Sequence, residues 1–268
     1  MEPGIMLYIN CPTDIWEQIR VLCEIGIRRT FVGAKHPEID NVLQAIRESG
    51  MICDNLHSEY TALYNGQKYT MRDLCRDGFG GDLLTERIMN NIDTCAKNHI
   101  PTLVVHAPST PPQQAKNEFT KKRYTDIGNY AKSVGVTIAF ENTRHTENLE
   151  YVMSLLPDAK FCWDCGHEYF CHEEREPMAL FSSRLAALHI HDNSLTCDEH
   201  LIPFSAKIDF KKVAEQLARS RYDGTLMLEV MYRPNEENST EPTYKDFAIK
   251  AKLAAERLIH MVNQYRTV

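Results

Sequence analysis

The run Val136-Thr137-Ile138-Ala139-Phe140-Glu141 decides how the rest of this chain is read. A short block of β-branched and aromatic residues is a strand signal. Side chains alternate faces along a strand, so Glu141 shares one face with Ala139 and Thr137, and Phe140 shares the other with Ile138. One face is small and ends in an acid, while the other is bulky and apolar. That is the division of a barrel strand, with small side chains toward the axis and large ones toward a layer of helices. The pattern recurs downstream. Stepping back from His189 gives Ala187 and Leu185, and from Glu229 it gives Met227 and Thr225, with Leu188 and Leu228 on the outer face.

Working outward, β-rich runs alternate with amphipathic helical patterns. The strands are read as Ile5 to Ile9, Thr30 to Gly33, Met51 to His57, Thr102 to His106, Val136 to Glu141, Lys160 to Asp164, Leu185 to His191 and Thr225 to Val230. Thr13 and Asp14 offer N-cap chemistry for a helix striped by Ile15, Ile19, Leu22 and Ile25, and Gly26 suits its end. Val42 and Ile46 mark a second helix, which stops at Gly50, and Leu84, Ile88 and Ile92 mark another. Phe247, Ala251, Ala254, Leu258 and Met261 share one face of a final helix. The stretch from Tyr60 to Asp82, rich in Gly, Tyr and Arg, reads as irregular. Alternating strands and helices imply parallel pairing through right-handed crossovers, and eight units predict an α/β chain closed into a (β/α)₈ TIM barrel. No Gly-rich phosphate turn follows a strand, which disfavours an open doubly wound sheet. With no repeat or linker, residues 1–268 are taken as a single domain.

Composition agrees. The chain has 268 residues, 43% hydrophobic and 25% charged, enough for one large core. No apolar run reaches membrane-spanning length and no basic-then-apolar leader opens the chain, so a cytoplasmic protein away from membranes is expected. Nine cysteines in a chain this long are read as reduced, Cys23 and Cys95 among them as small hydrophobes on helical faces. A net charge of -7 disfavours a polyanionic partner. The C-x-x-C spacing of Cys162 and Cys165 straddles a strand end, which is not where redox motifs sit. Lys121-Lys122-Arg123 reads as a solvated helix face.

The chemistry lies at the strand ends. His57, His106, Glu141, Asp164, His189 and Glu229 close six successive strands, at the edge where barrels build active sites. Carboxylates meeting there would repel one another without a cation. Glu141, Asp164, Glu229 and the imidazole of His189 form a fairly hard ligand set, suited to Mn²⁺, Zn²⁺, Co²⁺ or Mg²⁺. His167, just beyond Asp164, can lean over the same opening. His191 shares the inward parity of His189, and Asp198 and His200 lie in the following loop.

The runs Asn55-Leu56-His57, Val104-Val105-His106, Phe140-Glu141-Asn142-Thr143, Trp163-Asp164-Cys165-Gly166-His167, Leu188-His189-Ile190-His191-Asp192, Asp198-Glu199-His200 and Leu228-Glu229-Val230 resemble the xylose-isomerase-like barrel superfamily. Those motifs stand in order at successive strand ends across nearly the whole chain. In the sugar-phosphate isomerase and epimerase branch, the resemblance implies one divalent metal on Glu141, Asp164, His189 and Glu229. His167 would then contact substrate. From their strand ends and parity, His57, His106 and His191 are taken as further substrate contacts, with a structural role the alternative for His191. In the endonuclease IV branch it implies a three-zinc cluster that adds His57, His106, His167, Asp198 and His200. A Gly-Glu-Gly turn frequent in the family is replaced here by Phe204-Ser205-Ala206-Lys207-Ile208-Asp209-Phe210.

The expected function is therefore a metal-dependent sugar or sugar-phosphate isomerase or epimerase of carbohydrate metabolism, taking a small-molecule substrate and compatible with a homo-oligomer. Glu141 and Glu229 would transfer the proton through a metal-stabilised enediolate. The alternative is a zinc phosphodiesterase for abasic DNA. Its basic and wedging groups would come from Tyr60, Tyr64, Lys68, Arg72 and Arg76 and from Lys116 to Arg123.

Overall fold

A computed structural model describes residues 1–171, 175–234 and 242–267. In chain order its elements are β1 (Glu2–Ile5), α1 (Ile15–Glu24), β2 (Arg29–Gly33), α2 (Ile39–Glu48), β3 (Ile52–His57), β4 (Thr61–Tyr64), β5 (Gln67–Thr70), α3 (Phe79–Lys97), β6 (Thr102–His106), α4 (Pro112–Ala115) and α5 (Glu118–Ser133). Then come β7 (Thr137–Glu141), α6 (Thr146–Leu155), β8 (Lys160–Asp164), α7 (Cys165–Cys171), α8 (Pro177–Phe181), β9 (Leu185–His189), α9 (Phe210–Ser220), β10 (Thr225–Leu228) and α10 (Tyr244–Arg266). Eight parallel strands follow one another in the order β10-β1-β2-β3-β6-β7-β8-β9. The ring closes where the Ile190 N–H donates to the Met227 carbonyl at 3.0 Å and the Glu229 N–H donates to Ile190 at 3.1 Å. The fold is a single α/β barrel, as the strand parity indicates.

Two cores separate as that parity requires. Phe140, Ile138, Leu188 and Leu228 join the large cluster between sheet and helices. Val104, Ala139, Cys162 and Ala187 form a separate small cluster inside the barrel, and Met6, Phe31 and Met227 fill its other half. Asp14 caps α1 by accepting from the Trp16 N–H at 2.9 Å.

Three expectations need correction. The first strand runs from Glu2 to Ile5, not from Ile5 to Ile9, although Leu7 still bridges Val32. Pro3 and Gly4 look like strand breakers in sequence. Here Pro3 sits near the strand's start, and Gly4 pairs with Met227 where space is short. A Cβ on Gly4 would come within 2.6 Å of Thr225 Cγ2. The stretch after His57 is not irregular throughout, because β4 and β5 form an antiparallel hairpin. Its turn is Asn65-Gly66, with φ of 48° and 78°, and the flanking alternation makes this a recognisable hairpin signal. The basic run on α5 is not wholly solvated. Lys121 and Lys122 are exposed, but Arg123 is buried, and its guanidinium donates to the carbonyls of Asp73, Leu74, Arg76 and Gly78 and to Asp82. It holds the loop that leads from the hairpin into α3.

Gly4→Val is expected to destabilise the protein by about 1–3 kcal/mol through overpacking at the β1–β10 seam. Urea unfolding checks this, and an unchanged midpoint would show that the seam has slack.

Candidate metal centre

The β7 and β8 ends deliver Glu141 and Asp164 into the barrel mouth, 1% and 0% exposed. β9 delivers His189, also fully buried, with its ring stacked on Phe31 at 4.6 Å. Glu229 follows β10. His189 Nδ1 lies 3.2 Å from Glu141 Oε2 and 3.3 Å from Glu229 Oε2. Donor atoms of Glu141, Asp164, His189 and Glu229 all fall within 4.8 Å of one another. The four residues expected to form the core set are brought together.

The remaining candidates surround them. His57 and His106 have Nε2 atoms 3.0 Å apart, lying 3.2 and 3.5 Å from Glu141 Oε2. His167 Nδ1 is 3.2 Å from Glu141 Oε1, and its Nε2 is 3.1 Å from Asp198 Oδ2. His200 Nε2 is 3.3 Å from the same Asp198 oxygen. His191 is fully buried, with Nε2 3.2 Å from Asp164 Oδ1, and it stacks on His200 at 4.2 Å. Among the described residues four further donor groupings arise besides the core set, His57-His189-Glu229, His57-His106-Glu141, Glu141-Cys162-His189 and His191-Asp198-His200.

The loop that carries Asp198 and His200 is built without glycine. Asp192 organises it, accepting from the N–H groups of Asn193, Ala206 and Ile208 at 2.7 to 3.0 Å. Phe204 takes a left-handed φ of 70°, its ring tilted against Phe210 at 4.7 Å and 3.9 Å from the Arg257 guanidinium. Aromatic and cation–π packing hold a conformation that glycine would adopt freely.

Buried polar atoms without partners test whether these residues suit a metal. Both carboxylate oxygens of Glu141, Oδ2 of Asp164, both ring nitrogens of His189 and Nε2 of His191 are buried and lack hydrogen bonds. Such atoms are costly to bury unsatisfied, and here they are the atoms a cation would engage. The donor set fits a divalent metal.

Imidazoles lie against the buried carboxylates. Burial works against ionisation of Glu141, yet the His106 and His189 rings hold its carboxyl well below the usual carboxylate range. Asp164 is likewise lowered against burial, by His167 and His191. Burial would lower His189, but Cys162, Glu229 and Glu141 together push it well above the ordinary imidazole value. Burial also opposes protonation of His200, but hydrogen bonding from Asp198 and the nearby Glu229 raise it from 6.5 to about 9.

Sequence reasoning named Tyr60 only as a wedging group for duplex DNA, and it missed both that residue's place at the site and the pocket beside it. Tyr60, three residues past His57, stacks on His106 at 5.1 Å and roofs the site. A pocket of about 160 Å³ opens beside Glu229, walled by Met6, Tyr8, Phe31, Tyr60 and Met231, with Lys35 at its edge. Neither shows as a motif, since they gather from several loops. A larger cavity of about 380 Å³ lies at the other end of the barrel. Its charges are already paired, Arg29 with Glu2 and Asp54 at 2.8 Å each, and none of the donor residues of the mouth lines it.

A family model described as Xylose isomerase-like TIM barrel matches residues 27–248. An uncharacterized protein of Methanocaldococcus jannaschii is 29% identical over 113 residues, 40% of this chain and 44% of that protein. The chain spans about half the length of the curated relatives it matches. A D-tagatose 3-epimerase-like protein superposes with a TM-score of 0.77 at 18% identity, covering 98% of this chain and 99% of that one. D-psicose 3-epimerase of Clostridium cellulolyticum, solved with D-tagatose, superposes with a TM-score of 0.74 at 14% identity, with 98% and 99% covered. These likenesses are of fold.

His200 supplies a pH signature. Its raised folded value means the native state holds a proton that the unfolded chain releases near 6.5. The stabilisation is therefore full below about pH 6.5 and fades as pH rises through about 9. Urea resistance should fall over that interval as His200 loses its proton. His200→Gln should reduce the fall, and a flat wild-type profile would contradict it.

Proposed function

The chain belongs to the xylose isomerase-like TIM barrel family, and from that premise we propose that it is a divalent-metal-dependent isomerase or epimerase of a small sugar or sugar phosphate. The observation that carries this reading is the convergence of Glu141 and Glu229 on His189 Nδ1, at 3.2 and 3.3 Å, beside a small, largely apolar pocket. Glu141, Asp164, His189 and Glu229 would hold the cation, from among Mn²⁺, Co²⁺, Zn²⁺ and Mg²⁺. When bound, it would stabilise negative charge building on the substrate carbonyl and hydroxyl oxygens.

The protein's own groups do the rest. Glu141 and Glu229, whose carboxylates both reach this mouth, would take the proton next to the carbonyl and return it. His167 is held by its ring contact with the Asn142 carbonyl at 3.0 Å and leans over the mouth, where it would orient substrate oxygens. His191 lies beneath, in contact with Asp164 and supporting it. Met6, Phe31 and Met231 offer an apolar wall, and Tyr60 above can cover the C–H face of a sugar while excluding water. The likeness in fold to a D-psicose 3-epimerase adds support for a ketose substrate.

A second reading is favoured by one observation, the extra donor groupings around His57-His106-Glu141 and Asp198-His200, which would suit a multinuclear zinc phosphodiesterase acting on abasic DNA. Against it, part of the basic set on α5 is already paired or buried. Lys116 pairs with Glu147 at 3.1 Å, Lys122 pairs with Asp126 at 2.7 Å, and Arg123 is buried.

Incubating the metal-loaded protein with ketoses and ketose phosphates in D₂O should incorporate deuterium next to the carbonyl of one substrate. Glu141→Gln and Glu229→Gln should each lower the rate by about 100-fold or more while remaining folded. Cleavage of an abasic duplex with no exchange into any sugar would favour the second reading. Full exchange in both variants would remove the proposed roles.

A further inference from the structure

The sequence block that ends β7 continues with Asn142, which neither the ligand set nor the proton transfer uses. β7 and β8 pair in register as Ala139 with Lys160, Phe140 with Phe161 and Glu141 with Cys162. There β7 ends. β8 runs on, Trp163 and Asp164 pairing only with Leu188 and His189 of β9. Asp164 is thus two residues beyond the register partner of Glu141, with no strand on its β7 side. Its backbone N–H and carbonyl would be left bare in the centre of the site, where unpaired peptide groups are costly.

Asn142 fills the gap. Its Nδ2 donates to the Asp164 carbonyl at 2.7 Å, and its Oδ1 accepts from the Asp164 N–H at 2.8 Å. The side chain is 2% exposed. A carboxamide has the donor and acceptor of a peptide group, so these two bonds replace one missing rung of the ladder. The same residue's carbonyl contacts His167 Nδ1 at 3.0 Å, and Asp164 Oδ1 in turn accepts from the His167 N–H at 2.7 Å. Glu141, Asp164 and His167 are therefore referenced to one another through Asn142, on strands whose register alone would leave them staggered.

We propose that Asn142 is a positioning residue that sets the spacing of Glu141 and Asp164 for the cation between them. The proposal rests on the metal reading of the site but not on any particular sugar reaction. Another buried carboxamide gives the comparison. Asn148 is also fully buried and donates to the carbonyls of Pro108 and Thr110 at 2.7 and 2.8 Å, but it touches none of the donor residues. If Asn142 were only a structural plug, losing it and losing Asn148 would have similar consequences.

The experiment measures Zn²⁺ and Co²⁺ dissociation constants by chelator competition for wild type, Asn142→Ala and Asn148→Ala, well below each variant's unfolding midpoint, together with the visible spectrum of the Co²⁺ forms. Asn142→Ala should weaken both metals by about 10–100-fold and alter the Co²⁺ bands, whereas Asn148→Ala should stay within about twofold of wild type with an unchanged spectrum. If Asn142→Ala does not fold, Asn142→Gln carries the same test, since it keeps the carboxamide but displaces it by one methylene. Wild-type affinity and spectrum in the Asn142 variant, or equal losses in the Asn148 variant, would overturn the proposal and leave the metal site standing. A wild-type protein that binds neither metal would remove both.

Discussion

Two carboxylates without access to water, Glu141 and Asp164, set the terms for everything around them. Ionised groups are expensive to bury unless an opposite charge lies against them. Here imidazoles lie against both and hold each carboxyl below its usual range, His106 and His189 beside Glu141 and His167 and His191 beside Asp164. Several donor atoms are still left without hydrogen bonds. Buried donors with bonds unmade are the groups that a cation would engage.

The barrel makes this arrangement affordable. Beneath the carboxylates, on the β6 to β9 side, the inner layer is Val104, Ala139, Cys162 and Ala187, which packs without crowding the mouth. On the β1 and β2 side, Met6, Phe31 and Met227 are larger, and Phe31 fixes the plane of the His189 ring. The asymmetry puts charged donors on one half of the mouth and an apolar wall on the other. Gly4 lets β1 close against β10, so that Glu229 faces His189 across the last seam. The loops are tied in turn, Asp192 fixing the segment that presents Asp198 and His200, and Arg123 fixing the segment below the hairpin that follows Tyr60.

Much of this was legible in the sequence because parity in a strand is a strict rule. Glu141, Ala139 and Thr137 had to share a face, and the same held for His189 with Ala187 and Glu229 with Met227. Features set by neighbours were harder to read. Pro3 and Gly4 belong to a strand only because β10 offers room for a glycine and nothing larger. The Asn65-Gly66 turn was there to be read, but the Gly- and Arg-rich surroundings hid its flanking alternation. Arg123 resembles its two lysine neighbours in sequence, and only the carbonyls gathered around it explain its burial. The role of Asn142 depends on where β7 stops relative to β8, which is a matter of register and not of composition.

The most direct measurement is anomalous scattering from a crystal grown with Zn²⁺ or Mn²⁺. A single strong peak about 2.0–2.3 Å from ligand atoms of Glu141, Asp164, His189 and Glu229 is the expected result. A peak bound elsewhere on the molecule, or an empty mouth at saturating metal, would contradict the reading of these four residues as one cation site.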